Sequence, residues 1–130
     1  MGKARPQAVV LDTGALIAFE RGDARIRALV REALKRGARL VIPAGVLGQA
    51  WRGGARQAPL HALVKGPTTV VPALDQVLAE AAGVLCGRAG TSDVIDASVV
   101  LVARRERASV ITSDVDDLRH LDPRLSLERI

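Results

Sequence analysis

The chain has 130 residues, 48% of them hydrophobic and 25% charged, a balance that fits one folded domain with a substantial core and excludes a disordered chain. One Trp, one Phe and no Tyr exclude a base-stacking aromatic platform, and a single cysteine excludes a disulfide framework or a thiolate zinc site. Nineteen Lys and Arg, only three of them Lys, against 14 acidic residues give a net charge of +5, which suits a polyanionic partner.

Residues 1–6 read as a flexible polar lead-in, and residues 1–130 as one domain. Ala8 to Leu11, with β-branched Val9 and Val10, has the signature of a buried strand. It runs into Asp12, Thr13 and Gly14, after which Ala15 to Glu20 form a short helix. Asp23 caps a second helix to about Lys35, with Ile26, Leu29, Val30 and Leu34 at helical spacing, and Gly37 stops it. Arg39 to Ile42 is a second strand. Pro43 then opens a third helix, Ala44 to Arg52, from the first-turn position that proline favours. Gly45 and Gly48 lie on that helix at about 1 kcal/mol each relative to Ala, which makes sense where another backbone or a ligand comes close. Arg56 to Val64 is a short helix and Thr68 to Val71 a strand. Asp75 to Cys86 is helical, with a turn over Gly87 to Gly90. The stretch Thr91 to about Arg107 is helical, Ser109 to Thr112 a strand, Asp114 to Leu121 a helix and Leu125 to Ile130 a last strand.

Short aliphatic strands alternating with helices predict an α/β domain with a mostly parallel central sheet. No apolar run approaches the roughly 18 residues of a membrane span and no signal-peptide pattern opens the chain, so a cytoplasmic protein without membrane attachment is expected. Cys86 lies on an apolar helical stretch and reads as an inert buried thiol.

The segment TSDVIDASVVLVA, Thr91 to Ala103, is apolar on every side from Val94 onward except at Asp96, one helical turn beyond Asp93. A buried carboxylate needs a compensating cation or hydrogen bonds, and no Lys or Arg lies within a turn. Ligands of open parallel sheets bind beyond the carboxyl ends of the strands, where Asp12 and Asp114 fall. Asp12, Asp114 and Asp93 each have a plainer reading as a helix N-cap, and Asp117 as a solvated residue. If Asp12, Asp96 and Asp114 converge, with Asp93 and Asp117 near, their mutual repulsion calls for a divalent cation among them. Oxygen ligands without Cys or His suit Mg²⁺ or Mn²⁺, and such sites act on phosphate through an activated water.

Four blocks, VVLDTGALIA, VIPAGVLGQAWRGG, TSDVIDASVVLVA and VITSDVDDLRHL, resemble in order and separation those of PIN-domain ribonucleases, above all the VapC-type toxins of type II toxin–antitoxin pairs. The resemblance runs from about Val9 to Leu121. It implies a three-layer α/β/α sandwich and a Mg²⁺- or Mn²⁺-dependent endoribonuclease that leaves a 5′-phosphate and a 3′-hydroxyl. It also implies a homodimer inhibited by a cognate antitoxin protein. Asp12, Asp96 and Asp114 match the family's metal-binding positions, and Asp93 and Asp117 match auxiliary ones. Arg52, Thr13 and Ser113 are the expected substrate contacts. The departure is Gln49, where the family usually places a Glu; it removes one negative charge and lowers the expected metal affinity. Two rival readings are a non-catalytic module that binds RNA or an antitoxin, and an enzyme acting on DNA or a small phosphate ester. His61 and His120 stand in no catalytic or ligand spacing and read as surface residues. No phosphate-binding glycine motif follows the first strand.

Overall fold

The computed structural model describes residues 7–130. Its elements, in chain order, are β1 (Ala8–Leu11), α1 (Thr13–Glu20), α2 (Ala24–Lys35), β2 (Arg39–Val41), α3 (Ala44–Ala50), a 3-10 turn (Ala55–Gln57), α4 (Ala58–Val64), β3 (Thr69–Val70), α5 (Gln76–Ala89), α6 (Val94–Glu106), β4 (Ser109–Thr112), α7 (Val115–Leu121) and β5 (Leu127–Arg129). The sheet has five strands in the order β3-β2-β1-β4-β5, and every pairing is parallel. Helices enclose it in an α/β/α sandwich. The expected lead-in falls outside the described residues.

Strands β1 and β4 are buried along their whole length, which is why AVVL and SVIT read as continuous runs rather than alternating ones: a central strand of a parallel sheet is covered on both faces. They pair with Val10 opposite Val110 and Leu11 opposite Ile111. The chain winds outward through β2 and β3 on one side and returns to place β4 and β5 on the other, so the order reverses between β1 and β4. That reversal opens a crevice at their carboxyl ends. One aliphatic core fills the layers, with Val10, Leu11, Leu16, Ile26, Leu40, Leu60, Val99 and Leu118 fully enclosed.

Several boundaries differ from expectation for identifiable reasons. Helix α3 stops at Ala50 rather than Arg52, because Gln57 Oε1 accepts the N–H groups of Arg52 (2.6 Å) and Gly53 (3.0 Å), while Trp51 is already extended. Pro43 is the residue before the helix rather than its first. Helix α5 continues through Gly87 to Ala89 because the left-handed residue that ends it is Gly90, at φ 73°. Gly45 is crowded by a side chain rather than by a backbone or ligand, since a Cβ there would lie 2.5 Å from the tip of Ile95 on α6, and Gly48 faces open space.

Candidate active site

Asp12 follows β1 and caps α1, its Oδ1 accepting the Ala15 N–H at 2.8 Å. Asp114 follows β4 and stands before α7 without a side-chain capping bond, so its carboxylate is not spent on the helix. The β1–β4 register, with Leu11 opposite Ile111, sets Asp12 level with Thr112 and leaves Asp114 two residues on, close enough for its charge to act on Asp12; the Asp12 N–H still donates to the Ile111 carbonyl at 3.3 Å. Asp93 caps α6 by accepting the Asp96 N–H at 2.9 Å. The capping reading is therefore correct for Asp12, Asp23 and Asp93 and fails for Asp114. For Asp12, capping also serves position, because it fixes a buried carboxylate at the strand end.

Asp96 requires a correction. It lies in the first turn of α6 and is half-buried, not enclosed within an apolar helix. The first turn faces the positive end of the helix dipole, which tolerates a carboxylate better than the interior would. Even so its carboxyl is pushed up to about 7, first by burial and then by the charges of Asp93, Asp114, Asp12 and Asp117. The other four acids expected to act with Asp96 thus lie within electrostatic reach of it. Burial raises Asp12 as well, against the lowering effect of the Thr112 hydroxyl and the Ala15 amide, with Asp114 raising it further.

Asp12, Asp96 and Asp114 offer carboxylate oxygens, a set chemically suited to a hard divalent cation. As they stand, no group of three or more His, Cys, Asp or Glu side chains among the described residues is arranged to hold a metal ion. The carboxylates repel one another across the crevice and do not close on a common point.

Gln49 on α3 accepts a hydrogen bond from the Thr13 hydroxyl. That contact joins α3 to the residue after Asp12 and puts Gln49 at the rim of the acidic crevice. Arg52 is exposed and its guanidinium donates to the Trp51 carbonyl at 2.7 Å. Ser113 presses on α1: a Cβ added at Gly14 would lie 2.1 Å from its hydroxyl oxygen.

Three contributors were missed in the sequence. Thr112, fully buried, accepts the Asp114 N–H at 2.7 Å and turns its hydroxyl toward Asp12, tying the two strand ends together. The signal was a Thr two residues before an Asp, a local side-chain-to-backbone bond. Gly14 matters because only a residue without Cβ lets Ser113 approach. His120, read as a plain surface residue, is exposed, yet its Nε2 lies 2.7 Å from the Ala89 carbonyl oxygen, and it shares a small cavity with Asp93, Asp96 and Asp117. His61 is corrected too: it is half-buried and stacked on Trp51, with ring centroids 4.1 Å apart and planes at 8°. Cys86 is buried, as expected, with its thiol pushed up by burial and by Asp93 and Asp96.

The parallel α/β/α fold with acidic residues at its strand ends is shared by many protein families, and a family model distinguishes among them. The family model for the PIN domain matches residues 9–122, and the chain belongs to that family. Among curated proteins, no sequence matches it. Its fold is that of VapC- and FitB-type toxins. The complex VapBC2 from Rickettsia felis, bound to a DNA fragment from its promoter, superposes with TM-score 0.68 at 16% identity, covering 95% of this chain and 98% of that one. VapC20 from Mycobacterium tuberculosis, a toxin that cleaves the sarcin–ricin loop, gives 0.65 at 20% identity, over 84% and 93%. FitAcB from Neisseria gonorrhoeae gives 0.62 at 14%, over 92% and 95%. No helix among the described residues is long and apolar enough to cross a membrane.

Proposed function

We propose that this chain is a divalent-metal-dependent endoribonuclease, the toxin of a toxin–antitoxin pair, acting as a single domain in the cytoplasm. The reading is carried by the electrostatic influence of Asp12 and Asp114, at the ends of β1 and β4, on Asp96 in a PIN-domain chain. Asp12, Asp96 and Asp114 would hold Mg²⁺ or Mn²⁺, with Asp93 and Asp117 adding negative charge. When bound, the cation supplies Lewis acidity toward the phosphate and lowers the pKa of a water. Asp12 is kept in place by its own capping bond and by Thr112, and Asp96 by the α6 first turn. Thr13, Ser113 and Arg52 offer donors to the substrate. Gln49 keeps the Thr13 contact that a Glu would make, without its charge, so weaker metal binding is the cost of this substitution rather than a lost site geometry.

A cognate antitoxin is the proposed protein partner, by analogy with the VapBC and FitAB complexes. A homodimer accords with apolar residues left exposed on α5 and before it, Leu74, Val77 (76% exposed) and Val84 (55%).

The test is incubation with single-stranded RNA in Mn²⁺ or Mg²⁺, with and without chelator, beside Asp96→Asn. Cleavage that needs metal and is lost in the variant supports the reading. Cleavage that persists in either control refutes the metal site. Intact antitoxin binding with no cleavage in any condition favours the rival, a binding module disabled at Gln49.

A further inference from the structure

Beside the acidic crevice, on the α3 side, lies a groove of about 480 Å³ whose lining includes Gln49, Arg21, Arg52, Arg56 and Gln57. Gln49 belongs to both places, since it lines the groove and accepts from Thr13 next to Asp12. Three guanidinium-bearing side chains face one carboxylate there, Glu20, so the groove carries the opposite sign to the crevice it adjoins. A strand of nucleic acid meets the same alternation: the phosphate at the cut needs a cation, and the flanking phosphates need fixed positive charge.

The loop that carries Arg52 is not left free. Gln57 is buried and its amide makes three bonds, accepting from the N–H groups of Arg52 (2.6 Å) and Gly53 (3.0 Å) and donating to the Ala50 carbonyl (2.7 Å). The α3 terminus and residues 52–53 are thereby held as one piece, with Gly53 at φ 81°, a conformation that suits glycine. A buried amide with its donor and acceptor both satisfied fixes a backbone where apolar packing alone would leave choices.

We infer that this groove is a subsite for the RNA backbone flanking the scissile bond, with Arg52, Arg56 and Arg21 contacting phosphates and Gln57 acting as the positioning residue that sets the Arg52 loop. It rests on the nuclease reading. A peptide segment of a protein partner is the competing occupant, but the excess of arginines over acids, and continuity with the crevice through Gln49, favour a polyanion.

The test measures binding of a fluorescein-labelled single-stranded RNA 20-mer by anisotropy as a function of salt, in an Asp96→Asn background that prevents cleavage. Arg52→Gln with Arg56→Gln should weaken binding on the order of 10-fold near 0.1 M salt and flatten the slope of log K against log salt by about 1.4, two single-strand contacts of about 0.7 each. Gln57→Met, with both arginines intact, should also flatten the slope while circular dichroism shows a folded chain. If Gln57→Met does not fold, the arginine pair decides alone. Unchanged RNA affinity and slope in the arginine pair overturns the subsite, as does unchanged RNA binding with lost affinity for the cognate antitoxin. Cleavage assays of the same substitutions with Asp96 present separate the two readings. Metal-dependent cleavage whose KM does not rise in the arginine pair overturns only the subsite, whereas a parent protein that neither binds nor cuts RNA overturns both.

Discussion

Replacing Asp96 with Asn should abolish cleavage and, in the same molecule, make the metal-free fold more stable at alkaline pH. The Asp96 carboxyl titrates at about 7 instead of 3.8, raised by burial and by four neighbouring carboxylates. Below about pH 3 it is largely protonated whether the chain is folded or not, and costs nothing. Between about pH 4 and 7 the unfolded chain releases the proton while the folded chain keeps it, so stability falls as pH rises; above 7 the full cost is present. Unscreened, a rise from 3.8 to about 7 corresponds to about 4 kcal/mol. The side chain is only partly buried, so solvent and salt reduce that to about 1–2 kcal/mol. Asn matches the neutral form in shape and carries no charge. In chelator at pH 8, thermal unfolding of Asp96→Asn should therefore come roughly 3–8 °C above the parent, and below about pH 3 the two should coincide. Saturating Mn²⁺ should stabilise the parent but not the variant, since a ligand that binds only the folded state raises its stability. A variant destabilised equally at both pH values would refute the reasoning, because Asp96 would then be an ordinary structural carboxylate.

Gln49→Glu keeps an acceptor for Thr13 and restores a charge; Mn²⁺ affinity by calorimetry should rise roughly 10-fold, and an unchanged affinity would remove Gln49 from the site. Gly14→Ala places a Cβ 2.1 Å from the Ser113 hydroxyl oxygen and 3.3 Å from its Cβ, so the Ser113 side chain must move, beside Asp114. Cleavage should drop about 10–100-fold with the circular dichroism spectrum retained, and full activity would show that the crowding is harmless. Asp122→Asn tests the far end of α6. Burial pushes that carboxyl up, but the Arg104 guanidinium at 2.8 Å, the Arg124 amide at 2.9 Å and both positive charges bring it below the usual range. Its stabilisation is present above about pH 4 and lost as pH falls through the depressed value, so the variant should lose about 1.5–3 kcal/mol in urea at pH 7 and much less at pH 2.5.

Local rules carried most of the element assignments. The apolar runs of β1 and β4 and the capping aspartates 12, 23 and 93 lie where spacing and cap chemistry place them, within a residue or two. The misses occurred where a distant side chain intervened. Gln57 ends α3 early by taking two backbone N–H groups, which nothing in residues 44–52 announces. Asp96 looked enclosed because its own helix is apolar, yet α6 begins only at Val94 and its first turn opens on the crevice. His120 looked idle because its neighbours, Asp93, Asp96 and the Ala89 carbonyl, come from other elements.

The sequence by itself determined the parallel α/β architecture and the carboxylates standing at strand ends and helix starts, because hydrophobic period and capping act over a few residues. Tertiary structure alone decided which of those carboxylates share a field. The reversal of strand order between β1 and β4 brings Asp12 near Asp114, and packing α6 against β1 adds Asp96. Tertiary structure also set an arginine-lined groove next to an acidic crevice, through one buried glutamine. Charges separated along the chain interact through space, and only the fold sets those distances.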